Sequence, residues 1–132
     1  MKGERMKLKE YFESARGIGV LSTADNAGKV DAAIYSRPHV MDDGTVAFVM
    51  RERLTHHNLQ SNSHAVFLFI EEGRGYQGKR LFLKKVGEEK DSPLADEFRR
   101  QWLTPEEDKA KGPKYLVTFR VDKELPLIGS GD

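Results

Sequence analysis

The sequence contains no cysteine, which excludes disulfides, thiolate nucleophiles and every cysteine-based zinc site, and fits a reducing compartment. It has no apolar run near the roughly 20 residues that a membrane helix needs. The opening stretch, residues 1–7, is basic but leads into further charged residues, so no secretion signal is read and a cytoplasmic location is expected. Charge of one sign is also missing. The 22 Lys and Arg stand against 21 Asp and Glu, so nucleic acid is not expected as a partner, and with no apolar run neither is a membrane. Repeats and low-complexity tracts are absent, and 132 residues suit a single domain spanning 1–132.

What is present changes period along the chain. Leu8, Tyr11, Phe12 and Ala15 share one face of a helix, with Gly17 as its stop. Residues 18–23 read as a strand and Asp25-Asn26-Ala27-Gly28 as a turn. From Val30 to Arg37 the side chains alternate, with Asp31, Ala33, Tyr35 and Arg37 on one face. Asp42-Asp43-Gly44 then feeds a strand over 45–50, so 30–37 and 45–50 are expected to form a hairpin. Residues 56–60 read as a short helix, and Ala65–Ile70 as a strand buried on both faces. Further strands are expected over 81–86 and 115–121. Between them, Leu94, Phe98 and Trp102 form an apolar stripe behind Ser92-Pro93, expected to pack as core or dimer contact. Thr104-Pro105-Glu106-Glu107 carries the pattern of a capping box. The sum predicts a mainly β, antiparallel and nearly closed barrel of about six strands with short peripheral helices.

Two familiar patterns lose their meaning in context. Gly73-Arg74-Gly75-Tyr76-Gln77-Gly78 spells a dinucleotide-binding loop, but a strand pattern follows it where a helix is required. It is therefore expected to connect two strands. His56 and His57 are adjacent and point about 100° apart on a helix, too divergent to hold one metal. No metal site is expected, and no nucleophile elbow is found.

The segment from Met50 to Asn58 carries the most chemistry. A strand ends at Met50, Arg51 and Arg53 follow, and Thr55 stands at the start of a helix. Guanidinium groups make bidentate contacts to phosphate oxygens. A helix N-terminus adds unpaired N–H groups and a favourable dipole. An ordinary solvated turn with a threonine cap uses the same residues. Arg37, ending the preceding strand, can join such an anion site. Ahead of it, Ala32-Ala33-Ile34-Tyr35-Ser36 puts small and flat residues on a strand, against which a planar ring can lie; the alanines equally suit tight sheet packing.

Residues 31–40, 43–50, 51–59 and 65–69 run strand, hairpin, strand, phosphate loop, short helix and strand. In that order they resemble the pyridoxamine 5'-phosphate oxidase-like flavin proteins. The resemblance implies a split β-barrel that binds FMN, as a homodimer with the flavin at the subunit interface. By position it implies that Ala33, Ile34 and Tyr35 lie along the isoalloxazine ring. Ser36 and Arg37 fall near a basic residue that reaches the phosphate. Phe48 and Val49, with Met50 at the strand's end, fall beside the ribityl chain. Arg53, Leu54 and Thr55 fall on the family's Ser-Arg-Lys type phosphate loop, with Arg51 as a neighbour.

Two positions depart from that pattern. Leu54 replaces the arginine and Thr55 the lysine, so Arg51 and Arg53 are expected to supply the charge, assisted by Arg37. The tryptophan- and arginine-containing C-terminal segment of true pyridoxamine phosphate oxidases is not recognisable, and that activity is not expected. The expected function is an FMN-dependent oxidoreductase on a small molecule, with no residue assigned as acid or base. A non-catalytic flavin-binding or electron-carrier module is the alternative, as is a structural barrel whose site has decayed. Heme or a deazaflavin is the alternative ligand.

Overall fold

Helix α1 (Lys2–Ser14) buries Leu8 and Phe12 against the sheet, as their spacing requires. Strands β1 (Gly17–Ala24) and β2 (Val30–Tyr35) follow, then a two-residue strand β3 (His39–Val40) and β4 (Val46–Arg51). Next come helix α2 (Leu54–Ser61) and the hairpin of β5 (His64–Glu71) and β6 (Gly78–Lys90). Two short helices, α3 (Pro93–Glu97) and α4 (Pro105–Ala110), precede β7 (Lys114–Pro126). The computed structural model describes residues 2–98 and 103–129, with side chains from Lys7 onward. Within them the strands form one antiparallel sheet ordered β2-β1-β5-β6-β7-β4-β3.

The sheet curls into a half-barrel. The long strands β6 and β7 slip register between Phe82 and Leu83 and again between Lys85 and Gly87, and such irregularities bend and twist a ladder. The curl brings the two ends of the sheet together, so that Tyr35 on β2 meets Phe48 on β4 edge-on, ring centroids 5.9 Å apart. Inside lie Leu21, Phe67, Phe69, Leu81 and Phe119, each essentially inaccessible. Full burial of one such side chain is worth about 1.5–3 kcal/mol. Gly19 allows the close packing, since a Cβ there would overlap the Phe67 ring and the Tyr35 carbonyl.

Several expectations are corrected here. Segments 30–37 and 45–50 do not pair: β2 pairs with β1 alone, and the turn at 41–45 joins β4 to the short β3. Pro38, which has no N–H for a ladder, interrupts the alternation, and the chain crosses to the opposite edge of the sheet. Strand β5 is buried on one face only. Ala65, Phe67 and Phe69 are internal, while Val66, Leu68 and Ile70 face outward and are only partly covered. Helix α3 ends at Glu97, so Leu94 and Phe98 pack beside Ala95 and Leu116 without continuing a stripe; Trp102 lies outside the described residues. The glycine-rich segment at 73–78 does join two strands, β5 and β6.

Candidate functional site

The ends of the sheet leave unpaired strand edges facing each other. Among the described residues, strand β2 has a neighbour on one side only, and β4 beyond Ala47 pairs with β7 alone. Between these edges lies a cleft of about 570 Å³. Strand β2 supplies Ala33, Ile34 and Tyr35, and Ser36 and Arg37 continue its wall. Across the gap, β4 supplies Phe48, Val49, Met50 and Arg51. Arg53, Leu54 and Thr55, at the start of α2, line one end. All twelve residues singled out in the sequence therefore meet at one cleft.

Their individual tasks differ from the expectation. Arg53, not Thr55, is the N-cap residue of α2, and no side chain caps the helix, so its first N–H groups are left to the cleft. Arg53 is exposed and has no ionic partner among the described residues. Thr55 is buried in the first turn, where its hydroxyl lies 3.5 Å from Asp31 Oδ2, close to the Tyr35 phenol. Burial raises the Tyr35 phenol above its usual range, partly countered by Thr55 and Arg53. Helix α2 is held in place by Asn58, which donates to Thr23 Oγ1 at 3.1 Å in the core, and by His56, stacked on Tyr115 at 3.8 Å.

The other two arginines have protein partners. Arg37 Nη1 donates to the carbonyls of Phe12 at 2.8 Å and Ala15 at 2.7 Å, so a cation closes the C-terminal end of α1. Arg51 donates from Nη2 to Asp108 Oδ1 at 2.5 Å and from Nη1 to the Gly112 carbonyl at 2.8 Å. Asp108 also takes Lys114 Nζ at 2.5 Å on Oδ2, and Asp96 holds the same ammonium at 2.7 Å. Burial by itself would raise the Asp108 carboxyl, but the bonds from Lys114 and Arg51 outweigh it and hold it below the usual range. Burial would likewise lower Lys114, and its two carboxylates hold it above its ordinary value.

Five cationic side chains line the cleft against two carboxylates. Lys111, Lys114, Asp108, Asp31, His39 and Phe98 were not assigned to the site from the sequence, although all six line the cleft. Asp31 was legible, since it alternates with Ala33 and Tyr35. The lysines and Asp108 were not, because nothing local marks the α4–β7 segment as neighbour to β4. Among the described residues no group of three or more His, Asp or Glu is placed to hold a metal ion, and no helix is long and apolar enough to cross a membrane.

This seam between unpaired edges, in a curled seven-stranded antiparallel sheet, defines the class: the chain has the split-barrel fold of pyridoxamine 5'-phosphate oxidase-like proteins. Among solved structures it is similar to an FMN-binding protein from Syntrophomonas wolfei subsp. wolfei, with TM-score 0.75 and 19% identity over 98% of this chain and 90% of that one. It is also similar to a pyridoxamine 5'-phosphate oxidase, so named provisionally, from Listeria innocua, with TM-score 0.65 and 14% identity over 94% and 98% of the two chains. An F420 reductase matches with TM-score 0.63 and 16% identity over 88% and 94%. No family model and no curated protein matches the chain by sequence.

Proposed function

We propose that this cleft binds FMN and that the protein is an oxidoreductase acting on a small molecule. The observation that carries the reading is the pairing of an uncapped helix N-terminus and unpaired Arg53 with two open strand edges in one cleft. The first pair suits a phosphate of nearly two negative charges, which needs compensation when it leaves water. The second pair suits a flat ring whose edges need main-chain N–H and C=O partners. When bound, FMN supplies hydride or electron transfer, and the protein orients it and tunes its potential through hydrogen bonds and nearby charge. Ala33 leaves room for the ring, Tyr35 and Phe48 wall it, and Thr55 ties the phosphate end to β2. Arg51 acts from within its clamp on Asp108, as a fixed positive charge. A second copy of the chain completes the site in this reading, because Ile34 belongs both to the cleft and to an exposed apolar face.

Titration with FMN and riboflavin tests the phosphate end. Arg53→Ala should weaken FMN by roughly ten- to a hundred-fold, the loss of one charge-assisted partner at about 1.5–3 kcal/mol, and leave riboflavin nearly unchanged. Equal weakening of both ligands, or of neither, would place the anion site elsewhere. A protein that stays colourless and takes up no FMN would remove the cofactor. Catalytic consumption of a reduced nicotinamide with an acceptor separates an enzyme from an electron carrier.

A further inference from the structure

A second cavity, of about 400 Å³, lies behind the cleft where α1, β3 and α3 meet. Its size falls in the range of small-ligand pockets, about 300–1,000 Å³. Phe12, Val40, Met41 and Leu94 make its sides apolar. Its charges balance: Lys9 and Arg37 face Glu13 and Asp42, with Lys9 and Asp42 paired at 3.5 Å and Arg37 bound to the α1 carbonyls. The cleft, by contrast, is strongly cationic. The two spaces share Arg37, His39 and Phe98, so they are one side chain apart. The partition is flat, because the His39 and Phe98 rings stack with centroids 3.4 Å apart and planes 5° off parallel.

The His39 imidazole has no hydrogen-bond partner among the described residues. Burial and the neighbouring Arg37 hold it below its ordinary pKa, which leaves it neutral at pH 7 with one donor and one acceptor nitrogen. A polar ring edge without a protein partner, set in an apolar and charge-balanced wall, selects a particular chemistry.

We infer that this cavity binds a neutral, flat, one- or two-ring nitrogen heteroaromatic compound, which abuts the edges of the stacked His39 and Phe98 rings and hydrogen-bonds a His39 ring nitrogen in the plane of the imidazole. Its place as the second reactant beside the cofactor rests on the flavin reading above, whereas the binding itself does not.

The test uses 2-quinolinone as the probe and methyl and amide NMR shifts of the full-length protein as the readout, with and without saturating FMN. The probe should shift Val40, Met41 and Leu94 in both conditions. Met41→Trp and Leu94→Trp, which fill the cavity and lie outside the cleft, should each weaken the probe by about tenfold or more and leave the FMN titration unchanged. His39→Phe keeps a stacking ring and removes the polar edge, so 2-quinolinone should fall to the affinity of naphthalene. Shifts confined to Ala33 and Thr55, competition with FMN, or equal affinity in wild type and both filled variants would overturn the assignment. Failure of FMN to bind while the probe still shifts the cavity methyls would defeat the flavin reading and leave the cavity assigned.

Discussion

Arg51 and Arg53 stand two residues apart and serve different ends. Arg51 is clamped by the Asp108 carboxylate within α4 and by the Gly112 carbonyl just after it, which ties β4 to α4. Arg53 is left for a ligand. The same division separates His57, which is exposed, from His56, which is buried with its Nε2 3.0 Å from a Glu88 carboxylate oxygen. Burial tends to raise the Glu88 carboxyl, but hydrogen bonds from Lys85, His56 and Gln60 bring it down to about 2. An unfolded glutamate titrates near ~4.3, so Glu88 favours the folded state above that pH and loses this contribution as pH falls toward 2. Urea unfolding followed between pH 5 and pH 2 should therefore show a shallower loss of stability in Glu88→Gln than in wild type. Identical slopes would mean that the hydrogen bonds to Glu88 give the fold nothing.

At the scale of elements, the short helices are set by their ends. Helix α4 spans only six residues, too few to stand alone in water. The Thr104 side chain accepts from Glu107 N at 3.1 Å while Glu107 Oε1 accepts from Thr104 N at 3.0 Å, the reciprocal box that the sequence announces. Asp108 then carries the helix to Arg51 and Lys114, so the box bears on the wall of the cleft. Thr104→Ala should cost about 0.5–2 kcal/mol in urea unfolding at pH 7, and Thr104→Ser most of that less. A cost no larger for alanine than for serine would show that the Asp108 network, not the cap, sets this helix.

Across the whole molecule, the outer face of β1, β2 and β5 carries exposed apolar side chains. Ile18, Val30 and Ile34 are 59%, 83% and 72% exposed, and the register places Ile34 beside Val20 and Ile18 beside Ile70. Exposed apolar patches of this kind mark interaction surfaces. The face adjoins the cleft through Ile34. A dimer through it should have twice the 15.0 kDa chain mass in sedimentation equilibrium. The double variant Ile18→Asp, Ile34→Asp should sediment as a monomer and bind FMN more weakly. A wild-type protein that is monomeric at micromolar concentration would refute the shared interface.

Local order was legible in the residues themselves. Helical spacing at Leu8, Tyr11 and Phe12, alternation through β2 and β7, and the caps at Ser92 and Thr104 all depend on neighbours a few positions away. Arginines, a helix start and a flat strand marked the β2 and α2 side of the cleft in the same local way, whereas Phe48 and Val49 were assigned only through the family resemblance. Pairing and charge balance depend on residues brought from far along the chain. Only the tertiary structure decided that β2 and β4 face each other across a seam without forming a hairpin, since Pro38 sends the chain to the opposite edge. Only it decided that Arg37 closes α1 and that Arg51 answers Asp108, 57 positions away, leaving Arg53 alone at the mouth of α2. An arginine's type is written in the sequence, but its partner is whatever acceptor folding places within reach.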